Sequence, residues 1–263
     1  MVPIVYAHRG GAALRPENTI AAFDHGLALG ADGLEFDVHL SSDGVVVIHH
    51  DQTLERTTSG RGALADYTAA ELSGLDACCN FADGRGGFPY RGQGYGIPTL
   101  REVLCRYPEA QLIVELKRNG DRLAHAVVDE IRAAQAIDRV AIGSFHSGAL
   151  RAVREYEPRL STGAARTETR LALYRSWIGW PLGATPYQEF QVPPRSGLTP
   201  IVTRRFVAHA HRAGVRVKVW TVNDAEEIRR LVSYGVDAVI TDRPDVARAV
   251  IPRVEGISHR GPV

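Results

Sequence analysis

Cysteine is scarce: three residues in 263, at Cys78, Cys79 and Cys105. An odd number with two adjacent makes a poor disulfide framework and fits no zinc spacing, so a reducing compartment is the expectation. Long apolar runs are missing too. No stretch reaches the ~18 residues of a membrane span, which excludes stable membrane insertion from the expected partners. The chain also lacks an excess of either charge. Its 31 basic and 30 acidic residues leave +1, too little for a global field aimed at nucleic acid or an anionic surface. Any phosphate recognition must therefore be local. Lysine is rare among the basic residues, occurring only as Lys117 and Lys218. There is no internal repeat or low-complexity segment. The first strand-like segment, 3–7, runs straight into a candidate motif, so no leader is expected and a cytoplasmic protein is the simplest reading.

What is present alternates. A chain of 263 residues matches the roughly 250 of one (β/α)8 barrel. Short β-branched runs fall at 4–7, 33–39, 45–49, 111–117, 139–145, 160–165, 189–192, 215–222 and 238–241. Helical patterns lie between most of them, at 18–29, 99–107, 121–134, 147–157, 168–177, 203–213, 224–233 and 245–250. Such alternation implies a parallel sheet. One run is surplus to an eight-stranded barrel, and Asp43-Gly44 accounts for it as a hairpin turn. The run 45–49 then becomes the return arm of a hairpin extending the second strand. A two-residue loop at 43–44 places Asp37 opposite His50. Residues 51–98 break the rhythm, rich in glycine and aspartate, and predict an insertion or active-site cover before the third barrel strand, with one short helix near 68–75. The expectation is an α/β chain folded as a single TIM barrel over 1–263, with that hairpin extension and insertion.

In such a barrel the active site gathers at the C-terminal ends of the strands. His8-Arg9-Gly10 ends the first strand. Glu35 and Asp37 share one face of the second, Glu115 and Lys117 one face of the third, and Trp220 lies on the seventh. Three carboxylates crowded together repel, and a divalent cation relieves them; an all-oxygen set suits Mg²⁺ or Ca²⁺ rather than zinc. A salt-bridge cluster of Glu35, Glu115, Lys117 and Arg9 is the structural alternative. His8 and His50 add groups that titrate near neutrality and can serve as base and acid in one turnover. His25, His125, His209 and His211 sit in helical patterns and read as surface or packing residues. The His-Arg-Gly tripeptide recurs at His259-Arg260-Gly261 without fold context, so alone it is a weak signal.

Longer motifs are specific. His8-Arg-Gly-Gly is followed by Pro16-Glu-Asn-Thr, Gly33-Leu-Glu-Phe-Asp-Val and Ser42-Asp-Gly-Val-Val-Val-Ile-His. Then come His50-Asp-Gln-Thr-Leu-Glu-Arg-Thr-Thr, Ile97-Pro-Thr-Leu, Val114-Glu-Leu-Lys, Gly143-Ser-Phe, Val219-Trp-Thr-Val-Asn and Ile240-Thr-Asp-Arg-Pro. This collinear series, from 7 to about 244, resembles the glycerophosphodiester phosphodiesterase family; the stretch 158–200 offers least to align. The resemblance implies Glu35, Asp37 and Glu115 as ligands of one divalent cation. It implies His8 and His50 as the acid–base pair, and Arg9 and Lys117 as phosphate contacts, in keeping with a planar guanidinium fork and a point charge. It implies a small glycerophosphodiester as substrate, with glycerol 3-phosphate and an alcohol as products. Either the glycerol 2-hydroxyl attacks phosphorus to leave a cyclic phosphate, or water attacks directly.

Weaker signals have plain readings. Trp220 is either core or a wall for glycerol or a choline head group. Trp177, Trp180 and Pro181 read as a buried helix end, with contact to lipid chains as the alternative. His39 and His49 read as exposed hairpin residues rather than ligands. The competing functions are a lysophospholipase D or phospholipase C acting on a lipid, a Schiff-base aldolase using Lys117, and a non-catalytic binding protein.

Overall fold

The computed structural model describes residues 2–252, so His259-Arg260-Gly261 lies outside the described residues. In chain order the strands are β1 (Ile4–His8), β2 (Gly33–Leu40), β3 (Val46–Ile48), β4 (Gln111–Leu116), β5 (Val140–Gly143), β6 (Ser161–Thr162), β7 (Glu189–Val192), β8 (Arg195–Ser196), β9 (Thr199–Pro200), β10 (Arg216–Val219) and β11 (Ala238–Thr241). The helices are α1 (Ile20–Ala28), α2 (Ala69–Ser73), α3 (Leu100–Arg106), α4 (Asp121–Ala133), α5 (Ser147–Tyr156), α6 (Arg166–Ile178), α7 (Arg204–Arg212), α8 (Ala225–Tyr234) and α9 (Pro244–Val250).

The main sheet runs β6-β5-β4-β2-β1-β11-β10-β7, all parallel, with β3 attached to β2. A parallel bridge between Gly163 and Glu189 joins its two ends, which closes the expected TIM barrel. Each barrel strand is buried on both sides, as a parallel sheet wrapped in helices requires. Leu34, Phe36, Val38, Leu112, Val114 and Leu116 face the helices in one apolar cluster. Across the barrel, Val5, Phe190, Val217, Val219 and Val239 belong to a second. The opposite face of the strands is thereby committed to the barrel interior, where Tyr6, Ile113, Ala141, Ala238 and Ile240 pack.

Helix starts follow local chemistry. Thr19, Thr99, Thr203 and Asp224 each accept a backbone N–H of the first turn, and Pro244 occupies the first turn of α9.

The hairpin register departs from expectation by one residue. Leu40 pairs with Val46 and Val38 with Ile48. Ser41 and Val45 close a three-residue loop in which Gly44 takes φ +81°, a left-handed conformation that glycine adopts without strain. Asp37 therefore faces His49 across the hairpin, with His49 N donating to Asp37 O at 3.0 Å, and His50 follows the strand end. Residues 51–98 contribute Leu54, Leu64, Leu72, Ala77 and Ile97 to a small core that they share with Val47 of β3. That core covers the hairpin rather than the barrel mouth. His39 and His49 are consequently buried, 2% and 4% exposed, contrary to the surface reading. Their Nε2 atoms lie 3.1 Å from the carbonyls of His50 and Thr53, so both rings brace the His50 loop. No described helix is long and apolar enough to cross a membrane.

Candidate active site

The β1 exit sets the first part of the site. Arg9 has φ +49° and Gly10 φ +86°. A Cβ on Gly10 would fall 2.6 Å from the Ala22 Cβ, so only glycine lets this turn press against α1. The sharp turn leaves His8 and Arg9 both aimed at the mouth. His8 Nδ1 lies 2.6 Å from Asp242 Oδ1 and its Nε2 3.7 Å from Glu35 Oε2. Burial works against a charged ring here, yet Glu35 and the Asp242 bond outweigh it and hold His8 above its ordinary value. Asp242 is itself fixed by Asn223, whose Nδ2 donates at 2.8 Å.

Side-chain alternation on β2 and β4 delivers the carboxylates. Glu35, Asp37 and Glu115 each offer an oxygen, all within 4.8 Å of one another. Asp37 faces two cations, Lys117 Nζ at 3.2 Å and Arg9 Nε at 3.2 Å, and accepts from Asn18 Nδ2 at 3.0 Å. Burial would raise it, but Lys117, Arg9 and His50 hold it below the carboxylate range. Lys117 also donates to Glu115 Oε1 at 3.1 Å. Glu35 has no lysine or arginine side chain in an ion pair; the His8 imidazole and, more weakly, the Arg9 charge act on it. Burial first, then repulsion from Asp37 and Glu115, push its carboxyl well above the ordinary range. The salt-bridge alternative is thus half realised, with Glu35 left outside it.

His50 completes the mouth from the other flank: its charge acts on Asp37 and Glu115, that of His8 on Glu35. His50 Nδ1 lies 2.6 Å from Asp51 Oδ1, and Asp51 is held in turn by Arg56, which also bonds Glu17. Glu17 closes the circuit by accepting from Arg9 Nη1 at 3.0 Å.

His8, Arg9, Glu35, His50, Glu115 and Lys117 line a cavity of about 680 Å³, whose wall also includes Trp220 and Phe145. Trp220 serves both of its expected alternatives: it packs on the barrel-interior core and lines the cavity, edge-on to Phe145 with centroids 5.7 Å apart. The expected buried helix end is not found. Trp177 and Trp180 are 47% and 63% exposed, and Pro181 is exposed too, because α6 already buries Ala172, Leu173 and Ser176 on its inward face.

All eight residues singled out from sequence meet at this mouth: His8, Arg9, Glu35, Asp37, His50, Glu115, Lys117 and Trp220. Sequence reasoning passes over their partners Asp242, Asn223, Asp51, Asn18 and Glu17. The signal was available, since each sits inside a motif already recognised for other reasons.

Such a mouth can seat an anion between Arg9 and Lys117 and move protons from two imidazoles, and on a closed (β/α)8 barrel it defines an enzyme acting on phosphate esters. The model of the Glycerophosphoryl diester phosphodiesterase family matches residues 8–246, and the chain belongs to that family of phosphoric diester hydrolases. A glycerophosphodiester phosphodiesterase of Caldanaerobacter subterraneus subsp. tengcongensis is 33% identical over 253 residues, covering 93% of this chain and 96% of the relative. One from Bacillus altitudinis is 32% identical over 262 residues, 95% and 98% of the two chains. Among solved structures, the glycerophosphoryl diester phosphodiesterase domain of an uncharacterized Mycobacterium tuberculosis protein superposes with TM-score 0.84 at 26% identity, covering 95% and 99%. An Oleispira antarctica phosphodiesterase, solved with its product sn-glycerol-3-phosphate, gives 0.75 at 27% identity, covering 96% and 98%.

Proposed function

We propose that the enzyme hydrolyses small glycerophosphodiesters to glycerol 3-phosphate and an alcohol, using one divalent cation and an acid–base pair formed by His8 and His50. The observation that carries this reading is the surplus of negative charge at the mouth. Three carboxylates share a 4.8 Å cluster in which Arg9 and Lys117 pair with Asp37 and Glu115. Glu35 has no lysine or arginine side chain in an ion pair and is raised by burial despite His8. A hard, all-oxygen donor set with an unbalanced charge suits Mg²⁺ or Ca²⁺. Glu35, Asp37 and Glu115 would hold the ion, which when bound neutralises charge on the phosphoryl oxygens.

The remaining work falls to the chain. Arg9 and Lys117 bind and orient the phosphodiester by charge-assisted hydrogen bonds. His8 and His50 flank the reacting centre, one taking the proton of the attacking hydroxyl and the other giving a proton to the departing alkoxide. Asp242 and Asp51 each hold the Nδ1 side of one ring, leaving Nε2 toward the substrate. Lys117 is poorly suited to Schiff-base chemistry. Burial alone would lower its value, but Asp37 and Glu115 raise it, and a protonated amine is no nucleophile. The free cysteines Cys78, Cys79 and Cys105 support a cytoplasmic setting.

The test is release of glycerol 3-phosphate from a panel of glycerophosphodiesters, with chelator and with Mg²⁺ or Ca²⁺ restored. Release that chelator abolishes and metal restores is expected. Full activity in chelator would remove the cation from the reading; no release under any condition would remove the reaction.

A further inference from the structure

We propose that the outer end of the catalytic cavity is a subsite, built on Arg166 and Arg170, that selects a leaving alcohol carrying negative charge and disfavours ammonium head groups. The proposal rests on the phosphodiesterase reading and adds to it the class of alcohol.

The cavity is far from uniform in charge. Its two lining carboxylates, Glu35 and Glu115, both sit at the cation end. Away from that end the lining holds no acid. It holds two guanidiniums, Arg166 and Arg170, one turn apart on the same face of α6. Both are exposed, and among the described residues neither pairs with a carboxylate. The acid nearest in sequence, Glu168, is engaged elsewhere. It takes Arg154 at 2.8 Å and 3.1 Å and caps the helix by accepting from Ala165 N at 2.6 Å.

A continuous wall connects this pair to the mouth. Arg166 lies over the Phe145 ring, 4.8 Å from its centroid, and Phe145 meets Trp220 edge-on. Stacking limits the freedom of the Arg166 side chain and presents a planar donor fork to the cavity. About 680 Å³ exceeds what glycerol phosphate alone occupies, so the outer volume is left for the second alcohol of the diester. A carboxylate or second phosphate there meets bidentate donors. A quaternary or primary ammonium meets two like charges and no counter-ion. The pair also falls in the segment 158–200, where the sequence offers least of the family pattern, as a residue that sets head-group preference rather than chemistry would.

The experiment compares kcat/KM for glycerophosphocholine, glycerophosphoglycerol and bis(glycerophospho)glycerol, whose leaving alcohol bears a second phosphodiester. At low salt the wild-type enzyme should prefer the anionic substrate to the choline ester by ~10-fold or more, and the ratio should shrink as salt screens two exposed guanidiniums. Arg166→Gln/Arg170→Gln should lower that ratio ~10-fold, through KM more than kcat, while Arg166→Lys/Arg170→Lys keeps most of it because charge is retained. A wild-type preference for the choline ester overturns the proposal, as does a ratio equal in wild type and the Gln double variant. Failure to cleave even glycerophosphoglycerol, whose leaving alcohol is uncharged, would instead strike the phosphodiesterase reading itself and take this subsite with it.

Discussion

Two groups of buried charge occupy the same barrel and behave in opposite ways. Toward the start of β7 and β10, Glu189 is fully buried with Lys218 Nζ at 2.8 Å, Arg216 at 3.4 Å and a Gln191 amide donating at 2.7 Å. Burial opposes its ionisation, but Lys218 and Arg216 reverse that and hold the carboxyl below its usual range. At the opposite end, three carboxylates face two cations, and Glu35 and Glu115 are both pushed up. The first group is balanced and needs nothing from solution. The second leaves Glu35 and Glu115 under strain from burial and from their neighbours, a strain that a proton or a bound cation relieves. Balance suits a structural cluster and imbalance a site that takes a ligand, although both set a lysine against a buried acid.

The sharpest way to break this contrast is to unbalance the first group. Lys218→Met strands Glu189 in the interior and should cost about 3–5 kcal/mol in denaturant unfolding, most of it recovered by adding Glu189→Gln. The pH dependence should change sign. In the wild type, the folded value of Glu189 lies below the unfolded ~4.3, so its contribution is complete above that pH and fades as pH falls through the folded value. Without Lys218 burial dominates, the folded value rises above the unfolded one, and stability should be highest in acid and fall as pH rises. A Lys218→Met protein as stable as wild type at pH 7 would show the pair to be dispensable.

At the mouth, His8→Ala and His50→Ala should each lower kcat by ~10²-fold or more, with the circular dichroism spectrum and unfolding midpoint little changed. Near-normal turnover in either variant removes that ring from the mechanism. Glu35→Gln should act on metal rather than on fold. It takes away the least compensated charge, so cation affinity by calorimetry should fall ~10-fold or more and the metal-induced rise in Tm should shrink with it. Unchanged affinity would mean Glu35 is no ligand.

Most of the fold and the centre of the site were legible because both rest on local rules. Threonine and aspartate caps announce the helices, and a period of two puts Glu35 with Asp37 and Glu115 with Lys117 on the inward face. What was hidden depends on contacts remote in sequence or on fine loop geometry. Asp242 meets His8 across 234 residues, a pairing no spacing rule exposes. Asp43-Gly44 suits two- and three-residue loops alike, and the difference moved the hairpin by one residue. His39 and His49 look exposed until the core around Leu54, Leu64 and Leu72 is folded over them. Trp177 and Trp180 mislead in the opposite direction, since aromatic content alone does not say which face of α6 turns inward.

The smallest expected effect concerns the brace behind His50. Asp51 is pulled down to about 2: burial opposes this, but the Arg56 and His50 bonds prevail, so it is ionised at neutral pH. Its Oδ1 stands 2.6 Å from His50 Nδ1, and its other oxygen is tied to Arg56. Asp51→Asn keeps the shape but removes the charge that favours a proton on Nδ1, so the ring loses part of its preference for one tautomer. Turnover should fall ~10-fold, less than removal of the ring itself, with KM little changed. The stability cost should be slight, because His50 and Arg56 are both partly exposed and solvent screens the lost charge. If Asp51→Asn matched His50→Ala in kcat, the aspartate would be an equal partner in proton transfer; if kcat did not move, the Asp51 contact would do no more than anchor the loop.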